Sequence, residues 1–550
     1  MRCAAPLVLL LGACAPAPDV AEHGESGSGG GTDTTGATSS TGPIGTSSST
    51  DGGDVTSTNA SDGESSGGGT TGEEPPPTRY DAVRQKSAHN SYQRDEAPID
   101  QLVYHRIRSL ELDIHVGKSF EPTLPGTWYV YHTDVIDDDT WCVRLDDCLD
   151  ALTAYTRAVP QHEVLTLWID LKDGWDDAHD PDALDQRLRA HFGDALVEPS
   201  SLREGCDAAS VQAALLDARC GWPSLEALRG RVIVALTGGA TALRTYHDAP
   251  ARAAFVAPAV VDVAAASQWP DTAIVNLGVE DLEAAATLVD AGYVARLWGI
   301  EDAATWQAAV AAGIHHLGVD AVDAEQDPWA RTHDQHGWPF ACRDTCEAAP
   351  PAEAIVGLAV DSGDLWNDAD SAIFAAIDRS RGPEGSWSAF VSTRNSHIEP
   401  FAKGCLMARS DDDDAAPYFA VCRPADDEPL RVQWRALAGG TTAAIEHAIT
   451  TPNTLDPPAA AFVRLRIDEQ GRCATGEGSS DGVAWIEIGS ACFDAPLVLQ
   501  GPAASAHGGG AVRLLFGALR LDDVPLTSAD LPPPRAWGGA SGAPFDGPLP

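Results

Sequence analysis

A TIM-type α/β barrel followed by an all-β sandwich is the fold class that the sequence predicts. Three observations point there. Eight strand-like apolar runs alternate with helix-like stretches between residues 79 and 346, and that rhythm implies parallel strands joined by helical crossovers. Polar and ionisable residues gather at the C-terminal ends of those runs, where barrels of this kind keep their chemistry. Beyond Pro350 and Pro351 the crossover rhythm stops, and short strands separated by Gly, Asp and Pro turns take over across 352–524, the pattern of a sandwich.

The eight candidate barrel strands are 82–87, 107–115, 128–132, 164–172, 231–237, 273–277, 292–297 and 314–319. Helical patterns lie at 145–158, 181–192, 224–228, 282–291 and 303–312. A doubly wound open sheet is the competing arrangement, but no Gly-rich phosphate loop follows the first strand. In the second domain the expected strands are 418–422, 430–434, 461–467, 484–488, 497–500 and 512–519. The Pro- and Gly-rich stretch 525–550 reads as a disordered tail.

The chain has 550 residues, too many for one hydrophobic core, so at least two domains are expected. Its 36 basic and 81 acidic residues give a formal charge of −45. Such a surface repels phosphate backbones and argues against nucleic acid as a partner. It also disfavours electrostatic docking on anionic lipid. It suits calcium, a hard cation held by oxygen ligands, although acid can serve solubility alone.

Arg2 and the apolar run 4–11 read as an export signal too short to span a bilayer. Leu11-Gly12-Ala13-Cys14 resembles a bacterial lipobox. The resemblance implies cleavage before an acylated Cys14, hence an exported protein held at the cell-envelope membrane by lipid. Residues 1–14 are then the signal. Residues 15–78, rich in Ser, Thr, Gly, Asp and Pro, cannot bury a core and read as a flexible tether. Of twelve cysteines, ten fall into sequence-near pairs: Cys142/Cys148, Cys206/Cys220, Cys342/Cys346, Cys405/Cys422 and Cys473/Cys492. In an exported chain that suggests disulfides.

Four strand ends carry the candidate chemistry. After the first strand comes Ser87-Ala88-His89-Asn90-Ser91-Tyr92. The second reads Ser109-Leu110-Glu111-Leu112-Asp113-Ile114-His115, so Glu111, Asp113 and His115 share the inward face and the aliphatics face the helices. The third ends on Tyr129-Val130-Tyr131-His132. The fourth, 164–172, puts Asp170 and Lys172 on its inward face. Asn90, Glu111, Asp113 and Asp170 offer four oxygen ligands from three strands, which suits Ca2+ better than zinc. His89 and His132 are available for proton transfer. Lys172 can neutralise a phosphate oxygen, and Arg296, on 292–297, is expected at the mouth as a second phosphate contact. His315 and His316 flank the wrong end of their strand and read as structural, and His115 as a supporting residue.

Together SAHNSY, SLELDIH, VYH and LTLWIDLK resemble the catalytic half of calcium-dependent phosphoinositide-specific phospholipase C, over about residues 80–340. The resemblance implies that His89 contacts the phosphoryl group and that His132 protonates the leaving group. It implies calcium on Asn90, Glu111, Asp113 and Asp170, with Glu111 or Asp113 as base. A metal-independent bacterial branch carries arginine where this chain has Asp113, and many relatives have Glu in place of Asp170. The substrate implied is a phospholipid or another phosphodiester. A glycerophosphodiester phosphodiesterase is the rival enzyme, and a non-catalytic surface binding protein is the reading from another class. The second domain resembles a laminin-G or concanavalin-like module, for which a glycan is a candidate ligand.

Overall fold

The computed structural model describes residues 77–545, apart from 120–123, 218, 250, 333–337, 344–345, 347–354, 367–368, 395–400, 426–428, 448–460, 508–510, 539 and 541. The expected signal, the Cys14 lipid site and nearly all of the tether lie outside the described residues.

Eight parallel strands form the barrel: β1 (Val83–Ala88), β2 (Ser109–His115), β3 (Leu165–Leu171), β4 (Val232–Gly238), β5 (Phe255–Val256), β6 (Ile274–Gly278), β7 (Val294–Ile300) and β8 (His316–Val319). Each neighbour in chain order is a neighbour in space, and β8 pairs back onto β1. At the β5–β6 seam, regular pairing gives way to a bond from the Asn276 amide to the Pro258 carbonyl at 3.5 Å.

Eight strands were expected, but one assignment was wrong and one strand was missed. The segment 128–132 is not a barrel strand. Only Tyr129–Val130 is extended, and it runs antiparallel to the end of β2, with Ile114 opposite Val130. The missing strand is β5, whose two residues are too few to show a period. The helices Leu145–Ala158 and Pro181–Phe192 lie where the apolar spacing put them, and Leu282–Asp290 and Ala303–Ala311 end one residue early. Asp180 and Asp302 cap their helices by accepting backbone N–H bonds. The pattern at 224–228 is a turn rather than a helix, because four or five residues cannot sustain a helical face without caps.

The second domain is two antiparallel sheets packed face to face. One runs Ile486–Cys492, Cys473–Ser479, Phe462–Ile467, Gly385–Thr393, Val512–Leu521, Ile355–Val360 and Gly542–Phe545. The other runs Ala443–His447, Leu430–Arg435, Tyr418–Pro424, Lys403–Arg409, Leu499–Ser505, Ala372–Phe374 and Arg535–Trp537. Val391, Leu406, Val421, Leu465 and Leu514 fill the space between them. All five expected disulfides are present.

Residues 525–545 are not the loose tail expected. Arg535–Trp537 pairs with Ala372–Phe374, and Gly542–Phe545 pairs with Ile355–Val360. Both are edge strands, where proline is readily tolerated, and the Pro/Gly content concealed them.

Barrel and sandwich share a core. Phe390, Phe462 and Leu515 of the sandwich join the apolar cluster of the barrel's outer helices, with Tyr155 6.5 Å from Phe390 between ring centres. At its centre Asp100, from the barrel helix Pro98–Val103, takes a two-pronged contact from Arg423 (2.8 and 2.9 Å). Ser392 Oγ and the Thr393 amide also donate to Asp100. Breaking a buried pair strands the remaining charge, at about 3–5 kcal/mol. Asp100→Ala is therefore expected to lower stability by about that amount, read as a fall in the denaturant midpoint. Retention of the wild-type midpoint would show that the interface does not depend on this pair.

Candidate active site

The barrel interior is layered. Its lower layer is polar and closed. His316 bonds Tyr80 through Nε2 (2.9 Å) and Ser109 Oγ through Nδ1 (3.0 Å). His315 lies between the Ala295 amide and the Asp81 carbonyl. Burial pushes His315 down to about 3 and His316 well below the usual histidine range, so both are neutral struts, far from the mouth.

The middle layer holds Arg296. Its guanidinium grips Glu111 with two bonds, 3.0 and 2.6 Å, while reaching Ser87 Oγ at 3.2 Å and Asn276 Oδ1 at 3.1 Å. The expectation that Arg296 stands at the mouth is corrected here. The side chain is 0% exposed and is spent on Glu111. The cause is depth: β7 continues four residues beyond Arg296, so the side chain points into the barrel rather than over its rim. Burial alone would raise Glu111, but Arg296 and then His89 hold it down to about 2.

The upper layer is the mouth. His89, at the end of β1, places Nδ1 2.9 Å from Asp320 Oδ1 and Nε2 3.9 Å from Glu111 Oε2, and its ring stacks on Trp298. Asn90 adopts φ +47°, a left-handed conformation that asparagine tolerates better than most residues. The turn directs its amide to Glu111 Oε2 at 3.1 Å. Parallel pairing sets Asp113 directly beside Asp170. Lys172 bridges the two acids, 2.9 Å from Asp113 Oδ2 and 2.6 Å from Asp170 Oδ2. Burial lowers the Lys172 pKa less than these acids raise it, so its pKa lies above the usual lysine range. His132 places Nδ1 3.2 Å from Asp113 Oδ2, and its side chain is 40% exposed. Burial first, then the Glu111 charge, raise the Asp113 carboxyl.

The structure thus brings together His89, Asn90, Glu111, Asp113, His132, Asp170 and Lys172. His115 lies outside this group. It stacks on Tyr131 at 3.8 Å and faces Asp173, bracing the strand that delivers His132. Reasoning from the sequence gave no role to three neighbours. Asp320 orients His89, Arg94 reaches Asp320 at 3.2 Å, and Tyr92 lies buried beside Asp113. For Asp320 the signal was its place at the end of the closing strand.

Within this group Asp113 and Asp170 are the acids open to a cation, because Arg296 holds both oxygens of Glu111, which corrects the expectation that Glu111 is a free ligand. Asp113 Oδ1 is buried without a hydrogen-bond partner, an unusual state for a carboxylate oxygen. The Tyr92 hydroxyl is buried beside Asp113, and burial first, then the Asp113 carboxylate, holds its proton in place. The side chains of Asn90, Glu111, Asp113 and Asp170 present only hard oxygen ligands.

Residues 118–311 match the family model described as phosphoinositide phospholipase C, Ca2+-dependent. The match takes in His132, Asp170, Lys172 and Arg296 and starts just beyond β2. No curated protein gives a significant match. Among solved structures, a calcium-dependent phosphoinositol-specific phospholipase C from Pseudomonas sp is 23% identical, over 44% of this chain and 91% of that one, with a TM-score of 0.41. A Ca2+-dependent phosphatidylinositol-specific phospholipase C from Streptomyces antibioticus is 18% identical (45% and 96% covered, TM-score 0.36). A glycerophosphodiester phosphodiesterase from Parabacteroides distasonis is 12% identical (46% and 98% covered, TM-score 0.28).

The Glu111–Arg296 pair carries a pH signature. The carboxyl is depressed in the fold, so its contribution to stability is complete above the unfolded value near 4.5 and is lost as pH falls through about 2. Arg296→Leu is expected to destabilise the protein by about 3 kcal/mol or more at neutral pH. The gap to wild type should close between about pH 4.5 and pH 2 in acid-unfolding curves. A gap independent of pH would place the loss in packing.

Proposed function

We propose that this chain is a Ca2+-dependent phosphodiesterase of the phosphoinositide phospholipase C type. The observation that carries the proposal is the mouth itself: two histidines, each oriented through Nδ1 by a carboxylate, flank an all-oxygen donor set with one orphaned buried oxygen.

With Nδ1 turned to Asp113, His132 presents Nε2 to the open mouth. As imidazolium it donates that proton to the departing alkoxide oxygen. His89, held by Asp320, presents Nε2 toward the same space and can donate to a non-bridging phosphoryl oxygen as charge builds there. A hydroxyl of the substrate next to the phosphodiester attacks phosphorus. The new P–O bond closes a cyclic phosphate, and the bond to the leaving alcohol breaks. Of the two acids left open as base, Asp113 is better suited, because Arg296 occupies both oxygens of Glu111. Asn90, Asp113 and Asp170 would hold Ca2+, with Glu111, the fourth expected ligand, joining them where Arg296 gives up one of its oxygens; the ion would lower the pKa of the attacking hydroxyl and offset phosphorane charge. Lys172 keeps Asp113 and Asp170 apart in charge and is placed to meet a phosphate oxygen.

A membrane lipid is the substrate class favoured by the rim. Leu124, Val135, Ile136, Val261 and Trp298 are exposed, and all fall in loops after, or at the end of, barrel strands on the mouth side; exposed Val263 opens the short helix Val263–Ala266 beyond β5. In a chain of charge −45, apolar insertion replaces electrostatic attraction to the bilayer. The anchor at Cys14 and a glycan ligand for the sandwich belong to the same reading. Five disulfides fit an oxidising, exported setting. Among the described residues no helix is long and apolar enough to cross a membrane.

With phosphatidylinositol as substrate, a cyclic inositol phosphate is expected, and chelating calcium should abolish its formation. Activity indifferent to chelation would remove the metal, and a product that never passes through a cycle would favour the glycerophosphodiester reaction. His132→Ala should slow turnover about 10²- to 10⁴-fold; an unchanged rate would take His132 out of the mechanism. Ile136→Asp should lose activity on vesicles while keeping it on a soluble short-chain substrate. Equal loss on both would argue against interfacial docking.

A further inference from the structure

The proposed role of His89 depends on Asp320, and Asp320 opens the loop 320–327 that follows β8. Its own side chain is half-exposed, so its position relies on the backbone beneath it. On the barrel side Arg94 reaches Asp320, the Tyr104 hydroxyl donates to Glu325 Oε1 at 3.2 Å, and Val322 packs in the barrel's apolar cluster. Lys86, on β1, donates through Nζ to the Val322 carbonyl at 2.6 Å, and the Val322 amide turns back to the Asp320 carbonyl at 2.9 Å.

The other side of the loop is held by the sandwich. Arg394 follows the strand Gly385–Thr393, and its Nε lies 2.5 Å from Asp323 Oδ2 while Nη1 lies 3.2 Å from Glu325 Oε2. Arg513, on Val512–Leu521, reaches Glu325 Oε1 at 2.8 Å. The Arg394 backbone is fixed in turn, with its carbonyl 2.5 Å from Nε2 of His105 on the barrel. Asp323 is buried, so this contact is sheltered from the solvent that weakens most surface ion pairs. Two residues, Ala321 and Val322, separate Asp323 from Asp320.

We infer that Arg394 is a positioning residue for the barrel's chemistry: through Asp323 and Glu325 the sandwich sets the loop that carries Asp320, and thereby the orientation of His89. The sandwich is then a brace of the active site as well as a neighbour to it. This rests on the proposed pairing of His89 with Asp320. A displaced general acid or phosphoryl contact can cost up to about a hundredfold in rate, so a loosened loop has a measurable effect without any change in the residues that touch substrate.

The test compares full-length wild type, Arg394→Ala, Arg394→Lys and Asp320→Asn on phosphatidylinositol in mixed micelles with calcium. Arg394→Ala is expected to lower kcat roughly tenfold or more with KM changed less than about twofold. Arg394→Lys should recover part of the loss, and circular dichroism should show a folded protein at the assay temperature. If Arg394→Ala retains wild-type kcat while Asp320→Asn loses activity, the brace is overturned and the His89–Asp320 reading stands. If both variants keep wild-type kcat, the His89–Asp320 reading fails, and the brace fails with it. Should Arg394→Ala not fold, Glu325→Gln weakens the same contact with little change of shape. A fall in kcat at constant KM there supports the brace, and an unchanged kcat overturns it.

Discussion

Parallel pairing of β2 with β3 in a register that sets Asp113 beside Asp170 is the constraint on which the rest of the mouth depends. Two carboxylates at one level of a barrel, with Glu111 one step below, cannot remain charged without compensation. The protein supplies two cations of different kinds. Arg296 is buried, planar and matched bond for bond to Glu111, an arrangement only a guanidinium can make. Lys172 is half-exposed and bridges its acids as a point charge. The first fixes a structural acid. The second leaves its acids available, since an ammonium on a flexible stem yields more readily to a competing cation than a bidentate clamp does.

That difference sorts the carboxylates. Glu111 is depressed and saturated, so it anchors the Asn90 turn and the lower wall of the site. Asp113 is raised, holds His132, and keeps one oxygen without a partner. Unequal environments for neighbouring acids are how one site obtains a permanent anion and a group able to exchange a proton. The two histidines repeat the logic. Each is tied through Nδ1 to an acid, which leaves each Nε2 free to face the mouth.

Much of this was legible in the sequence because period-two alternation decides facing. The sequence SLELDIH can bury its aliphatics only by turning Glu111, Asp113 and His115 inward, and 164–172 does the same for Asp170 and Lys172. Depth was not legible. Arg296 shares its face with mouth residues, and only the length of β7 beyond it shows that it lies a layer down. Two residues, Phe255 and Val256, suffice to pair in a sheet but cannot display a period, so β5 escaped notice while Trp128–His132, longer and alternating, was taken for a barrel strand. The edge strands at 535–537 and 542–545 were hidden by prolines that edges accept. Contacts between domains leave no local pattern at all. Asp100 meets Arg423 across 323 residues, and nothing near either residue announces the other.

The join between barrel and sandwich bears on why the two are fused. Domains tethered by a linker alone move independently. Here an apolar seam containing Phe390 and Phe462 surrounds a buried ion pair, and pairing a charge that deeply is worthwhile only where its partner's position is fixed. The sandwich strand that supplies Phe390 ends beside Arg394, so the seam and the loop beyond β8 are held by one rigid element. The strand that follows that loop, Phe340–Cys342, pairs with the opening residues of β1, at the end of the barrel away from the mouth. At the mouth the loop after β8 therefore has the sandwich for a wall, through Arg394 and Arg513.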